Sequence, residues 1–432
     1  MILIYTHHPN PRLTYITRFL FTSILGIPVS VISNVEEFKK YALPKINYSN
    51  ELLDGITVYP VSLLFEKDIH DLNPECTISN GFPALFPLQQ PSSLPFDLFA
   101  ASFFMVSRYE EYLPNYIDQH NRVIPTNSVA FKNHFLEIPL VDHWALMLRQ
   151  LIESNYPDFQ FPNRRYSFIP TIDVDIAYAY KFRGIYRTIG ATLKSLLIGD
   201  LKDNRRRFQI LFQKKSDPYD TFDLINNWHQ QHKLTPRFFF QVGHYGKYDK
   251  NLPPSHFAMQ RLIKQTSEQC SVGVHPSYQS NYSPNRLKEE IDTLSKITTT
   301  PIIRSRQHFL MLRFPETYQR LIKLGINEDY TMGYAQLPGF RAGTCTPFHF
   351  YDLTSETETS LMVYPFQVMD GTLNQYLKLS PLEAIERIRQ LNNAVRKVNG
   401  TFISLWHNQS LGEMRNWKNW REVYKALLQI SS

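Results

Sequence analysis

From residue 166 onward, short apolar runs alternate with longer segments whose apolar positions recur every three or four residues. The runs "YSFIPTID", "RFFFQVG", "CSVGVH", "PIIRSR", "INEDY", "LMVYPFQVM" and "TFISLWH" read as strands, being rich in β-branched and aromatic residues and bounded by polar or turn-forming positions. Between most of them lie helical patterns, including "YDTFDLINNWHQQHKL", "HFAMQRLIKQTSEQ", "SPNRLKEEIDTLSKI" and "PETYQRLIKLG". The best marked is "SPLEAIERIRQLNNAVRKVNG", with Ser380 as N-cap, Pro381 in the first helical position and Glu383 completing a capping box. Ile385, Ile388, Leu391, Val395 and Val398 form its apolar stripe, and Gly400 supplies the stop. Seven strands alternating with helices predict a parallel β/α sheet, either closed as a seven-stranded (β/α) barrel or left open. In both forms ligands gather at the C-terminal ends of the strands.

The chain before residue 160 has its own pattern. It opens with a strand-like "MILIYT", a helix-like "RLTYITRFLFTSILG" and a strand-like "IPVSVIS", a β-α-β beginning. "FDLFAASFFMVSRYEEYL" and "VDHWALMLRQLIESN" read as helices, and no convincing catalytic set assembles among these residues. Two prolines and sparse periodicity in "YPDFQFPNRR" mark a boundary. The expected organisation is an N-terminal α/β domain over 1–160 and a β/α domain over 161–432.

Composition narrows the class. A hydrophobic content of 43% over 432 residues suits a globular protein with more than one core. The apolar stretch "FLFTSILGIPVSVISNV" is interrupted by Gly26 and Pro28 and reads as helix, turn and strand rather than a membrane span, and "MILIYTHH" lacks the basic start of an export signal. Cys76, Cys270 and Cys345 are too few and scattered for a disulfide framework or a cysteine metal site, so a reducing, cytoplasmic setting is expected.

Charge is uneven. The formal net charge is +7, but residues 181–215 alone carry +8, leaving the rest at −1. Within that segment Ile189, Leu193, Leu196 and Leu197 recur at helical spacing, which predicts a basic amphipathic helix. Its ordinary reading is a solvated helix packed on its own protein; the sharper one is a face for an anionic membrane surface, placing the protein at the inner side of a membrane. Nucleic acid is not an expected partner, because neither wider basicity nor a reading motif is present.

The chemistry gathers at the strand ends. In "FIPTIDVDIAYAY", Asp173 and Asp175 are separated by one residue and share a face of the strand, where they repel unless a cation or proton lies between them. Later strands end in His275, in Arg306 and His308, in Asp329, in Asp370, and in Trp406 and His407. A lone histidine is usually a hydrogen-bonded structural residue, but carboxylates and imidazoles converging from successive strands suit zinc or another borderline divalent ion.

These motifs resemble those of the polysaccharide deacetylases, the family-four carbohydrate esterases. "TIDVD" resembles the family's aspartate motif, "HPSYQS" its histidine motif, "RSRQHF" its arginine motif and "LWH" its terminal Leu-x-His, in the same order over roughly 166–410. The resemblance implies a metal-dependent hydrolase removing N-acetyl groups from an N-acetylhexosamine-containing glycan or envelope-polysaccharide precursor. It implies Asp173 as base, Asp175 and His275 as ligands of zinc (cobalt or nickel as alternatives), and His407 as general acid. Arg306 would orient Asp173, with Asp329, Asp370, Arg341 and Trp406 around the substrate or behind the reacting groups.

Two departures matter. Val174 separates aspartates that are usually adjacent, and Gln279 occupies the place of the family's second histidine. His308 is the candidate replacement ligand, ahead of His244. The glycines of "GFRAGTCTPFHFYDL" either let backbone N–H groups meet an anionic or carbonyl group beside Arg341 or form a tight loop. Two rival readings remain: hydrolysis of a non-sugar amide, and a metal-free glycan-binding or scaffolding protein.

Overall fold

The apolar runs pair into two parallel-stranded sheets and a hairpin in the computed structural model, which describes residues 1–90, 92–213 and 215–432. The smaller sheet has the order β2-β1-β3-β4, from β1 (Ile2–Tyr5), β2 (Val29–Ile32), β3 (Lys45–Asn47) and β4 (Ile56–Thr57). The helix Pro11–Arg18, capped by the Asn10 side chain, joins β1 to β2 and forms the expected β-α-β beginning. β5 (Cys76–Ser79) and β6 (Phe82–Leu85) form an antiparallel hairpin. The helix Leu98–Val106 is buried on every side, as its uniformly apolar sequence requires.

The larger sheet contains β7 (Ser167–Val174), β8 (Arg237–Phe240), β9 (Ser271–Val274), β10 (Arg304–Ser305) and β11 (Glu328–Asp329). It continues with β12 (Phe348–Asp352), β13 (Thr357–Val363), β14 (Val368–Met369) and β15 (Thr401–His407). Its order is β12-β13-β11-β10-β9-β8-β7-β15-β14, parallel except for β12. The expected seven-stranded barrel is therefore corrected: among the described residues the sheet has nine strands and is not closed.

The difference lies in "LMVYPFQVM", read above as one strand. Tyr364 and Pro365 break it into β13, which pairs with β11, and β14, which pairs with β15 near the opposite edge. Proline cannot donate to a ladder, so pairing lapses there. The five steps from Val363 to Val368 span at most about 18 Å, so the sheet must curl to bring its two ends together. That curl aims the C-terminal ends of β7, β9, β10 and β15 at one pocket. The capping box at Ser380 and Glu383 is present on the helix Pro381–Lys397, which packs behind the sheet.

The segment after β11 turns out to be a seam with the N-terminal residues. Gly339 has a φ of 128°, and a Cβ there would lie 2.5 Å from the Leu136 carbonyl oxygen. This open space lets the Phe340 N–H donate to Leu136 at 2.7 Å, while Val141 N–H donates to Gly343 at 2.9 Å. Arg341 is buried against Glu111, donating Nε–H to Oε1 at 2.9 Å and Nη2–H to Oε2, and its Nη1–H donates to the Gly333 carbonyl. Burial alone would raise the Glu111 carboxyl, but Arg341 and Arg108 hold it down to about 2. Arg341 thus fastens the two parts of the chain and does not line the pocket at the strand ends, contrary to the expectation above.

Candidate metal and acid–base centre

A cavity of about 180 Å³ opens at the C-terminal strand ends and is lined by Asp173, Asp175, His275, His308 and His407. Asp173 is the penultimate residue of β7 and Asp175 follows its end, so the two acids share the pocket while Val174 between them is fully buried on the other side. Asp173 Oδ1 accepts from Arg306 Nη1 at 3.0 Å. Arg306 is itself fixed, donating from Nη1 to Thr171 Oγ1 at 2.6 Å and from Nε to the Tyr330 carbonyl at 3.0 Å. Its guanidinium also lies over Phe239, 4.8 Å from the ring centroid.

Each imidazole has Nδ1 engaged by a group that can only accept. For His275 this is the Arg306 carbonyl at 2.6 Å, for His308 the Asp249 carboxylate at 2.9 Å, and for His407 the Asp370 carboxylate at 2.7 Å. Nδ1 must therefore carry the proton, which leaves Nε2 of each neutral ring with a lone pair. All three Nε2 atoms approach Asp175. His275 Nε2 lies 3.1 Å from Oδ1, while His308 Nε2 and His407 Nε2 lie 3.8 Å and 3.6 Å from Oδ2.

Asp175 Oδ1 is buried and makes no hydrogen bond. Facing acceptors require a proton or a cation between them. Donor atoms of Asp175, His275 and His308 all lie within 4.8 Å of one another, and imidazole nitrogens held by acceptors at their far side are the usual environment of a metal-ligating histidine. The residues present fit a divalent ion.

The electrostatics follow from the same contacts. Burial alone would raise Asp175, but His308, His407 and His275 hold it well below the usual carboxylate range. Burial opposes charge on His275, yet Asp173 and Asp175 outweigh it and raise the imidazole above its ordinary value. At His407 burial is outweighed by Asp370 and Asp175, which push it up to about 10.

Other predicted positions fall elsewhere. Trp406 is fully buried and packs on Trp420 and Tyr424, because strand alternation turns it from the face that carries Leu405 and His407. Asp329 accepts from Ser305 Oγ, Thr331 N and Thr331 Oγ1, each at 2.8 Å, and orients no imidazole. It braces the neighbouring strand ends instead. Gln279 is exposed on the turn after His275, and His244 is exposed beside Glu289, so neither position reaches the pocket.

Two contributors had no signal in the strand-end pattern. Asp249, from the loop after β8, fixes His308 and also accepts from the Tyr278 N–H. Arg122, from the N-terminal part, lines the pocket and donates to the Phe309 carbonyl at 2.9 Å and to Tyr376 Oη at 3.1 Å, with its charge met by Asp118. It holds the turn after His308, where Phe309 and Leu310 take left-handed φ values of 59° and 56°. His120 packs on the same Phe309 ring at 4.6 Å.

Residues 2–157 match a family of unknown function, DUF7033, which leaves the large sheet outside the match. No curated protein matches the sequence. Among solved structures, the chain is similar to a Mycobacterium smegmatis protein assigned as a polysaccharide deacetylase, at 14% identity and TM-score 0.39 over 62% of this chain and 86% of that one. It is similar to an allantoinase at 9% identity and TM-score 0.38, over 62% and 84% of the two chains. A Bacillus anthracis pseudoenzyme of the CE4 family gives 9% identity and TM-score 0.30, over 61% of each chain. Likenesses this distant carry no argument about chemistry, which rests on the pocket itself.

Proposed function

We propose that this chain is a metal-dependent hydrolase that removes N-acetyl groups from an N-acetylhexosamine-containing glycan or glycan precursor. The observation that carries the reading is the Asp175 carboxylate facing the lone pairs of His275, at its unpaired Oδ1, and of His308, at Oδ2, in a pocket that also holds an Asp–Arg and a His–Asp pair. Asp175, His275 and His308 would hold the ion, with zinc favoured by the donor set and cobalt or nickel as alternatives. When bound, such an ion supplies Lewis acidity to a carbonyl and makes water more acidic.

The remaining residues divide the proton work. Asp173 has one oxygen tied to Arg306 and the other free toward the pocket, so Oδ2 receives the proton of the attacking water. His407, held by Asp370 and charged at neutral pH, donates from Nε2 to the departing amine. Arg306 holds Asp173 in place. Residues 1–160 we read as an α/β unit that walls one side of the pocket through Arg122. We read the setting as a reducing cytoplasm from the small number and wide scatter of Cys76, Cys270 and Cys345 in the sequence.

One observation favours a second reading. Without an ion, the raised His275 could carry the proton that Asp175 needs, which would make the chain a metal-free glycan-binding or scaffolding protein. The test is acetate release from N-acetylglucosamine oligomers, beside a panel of small amides, by the zinc-, cobalt- and nickel-loaded chain. Release from the oligomers that disappears in Asp173→Asn supports the proposal. Turnover confined to small amides, or oligomer binding without turnover, overturns it.

A further inference from the structure

The basic segment after β7 folds as two helices, Ile185–Leu197 and Leu201–Phe212, which leave the sheet from the same strand ends as the pocket. Lys214 of that segment lies outside the described residues. The hairpin is fastened at its base: Asp217 accepts from the N–H groups of Ala179, Tyr180 and Lys181, and Arg183 donates to the carbonyls of Tyr178 and Lys250. Its two helices are joined by polar contacts, with Asp203 accepting from Ser195, Arg207 and Tyr180.

The apolar side faces outward. On the first helix Ile185, Tyr186, Ile189, Leu193, Leu196 and Leu197 are all exposed, Tyr186 to 92% and Leu197 to 88%. At about 100° per residue they fall within an arc of about 120°. On the second helix Leu201, Phe208 and Phe212 are exposed along a narrow stripe, the two phenyl rings 5.0 Å apart. The expectation of an amphipathic helix packed on its own protein is thus corrected, since the residues that should be packed face solvent.

Cations flank this apolar surface. Arg187, Lys194, Lys202, Arg205 and Arg206 are exposed, whereas Asp200 caps the second helix and Asp203 is turned inward. A second copy would set the same positive surface against this one, which disfavours self-association through the patch. Exposed aliphatic and aromatic side chains bordered by Lys and Arg suit an interface that is apolar within and anionic at its rim. No helix among the described residues is long and apolar enough to cross a membrane, so such contact is peripheral.

We infer that the hairpin of residues 185–212 docks the protein on the surface of an anionic lipid bilayer, with its aliphatic and phenyl side chains in the headgroup boundary. This surface is independent of the metal centre. The test is co-sedimentation of the full chain with vesicles of phosphatidylcholine alone and of phosphatidylcholine containing about one-third phosphatidylglycerol. Binding should require the anionic lipid, weaken as salt is raised, and fall about tenfold or more in Lys202→Glu/Arg205→Glu, given the per-cation contribution at such surfaces. Leu193→Asp/Phe208→Asp should also abolish binding; both positions are exposed, so thermal unfolding should be unchanged.

Equal binding to neutral and anionic vesicles, or anionic binding that survives both variants, overturns the proposal. So does an absence of vesicle binding together with a concentration-dependent dimer, seen by sedimentation velocity, that Leu193→Asp/Phe208→Asp dissociates. Neither readout uses metal or turnover, so failure here is separable from failure of the hydrolase reading.

Discussion

Replacing Arg306 with methionine isolates the pair on which the proposed base depends. Arg306 is fully buried, Asp173 is almost so, and they meet at 3.0 Å. At an effective dielectric of about 20, charges at that distance attract by on the order of 5 kcal/mol, much of it cancelled by desolvation of both. Removing one member strands the other, which costs about 3–5 kcal/mol. Arg306→Met should therefore destabilise by that amount, and Asp173→Asn by less, because the amide oxygen still accepts from Nη1. The double variant no longer contains a stranded charge. Its loss should fall short of the sum of the single losses by about 2 kcal/mol. The assay is denaturant unfolding at neutral pH with a chelator present, so that linked metal binding does not enter. Additivity within about 0.5 kcal/mol would refute the reasoning, because it would mean the two groups do not sense each other.

Other expectations follow from neighbouring contacts. Asp249→Asn removes the charged acceptor at His308 Nδ1 and should weaken zinc binding about 10- to 100-fold by calorimetric titration, whereas His244→Ala should leave it unchanged. Arg122→Ala frees the Phe309 carbonyl and the left-handed turn after His308, so zinc affinity should drop several-fold without loss of the fold; an unchanged affinity would remove the clamp role. His229 is buried between two helices, with Nδ1 toward the Ile225 carbonyl and Nε2 toward Tyr424 Oη, and burial pulls it down to about 4. Because the unfolded ring takes a proton near pH 6.5 and the folded ring does not, its contribution is full above that pH and is lost as pH falls toward 4, by up to about 3 kcal/mol. Denaturant midpoints at stepped pH should show this loss in the wild type and a flatter profile in His229→Gln.

The positions legible from sequence were those with a local signature. Strand ends announced themselves by an apolar run followed by an ionisable residue, and this brought Asp173, Asp175, His275, Arg306, His308, Asp370 and His407 into one neighbourhood. The capping box at Ser380 was equally local. What failed depended on contacts distant in the chain. Tyr364 and Pro365 look like an interruption within one strand until β11 and β15 are known to claim its two halves. Arg341 between glycines resembles a ligand loop, and only Glu111, 230 residues away, shows it to be a fastening. Trp406 was misplaced although the two-residue period of the strand already separates it from His407. Asp249 and Arg122 lie in loops, where no period predicts which way a side chain turns.

The central claim is that Asp175, His275 and His308 hold a divalent ion, and metal content tests it most directly. Elemental mass spectrometry of the purified chain, dialysed against zinc, cobalt or nickel and then against buffer, should give near-stoichiometric metal for the wild type and loss in both His275→Ala and His308→Ala. A wild type that retains no metal from any of the three, or an ion that persists in both variants, would contradict the account.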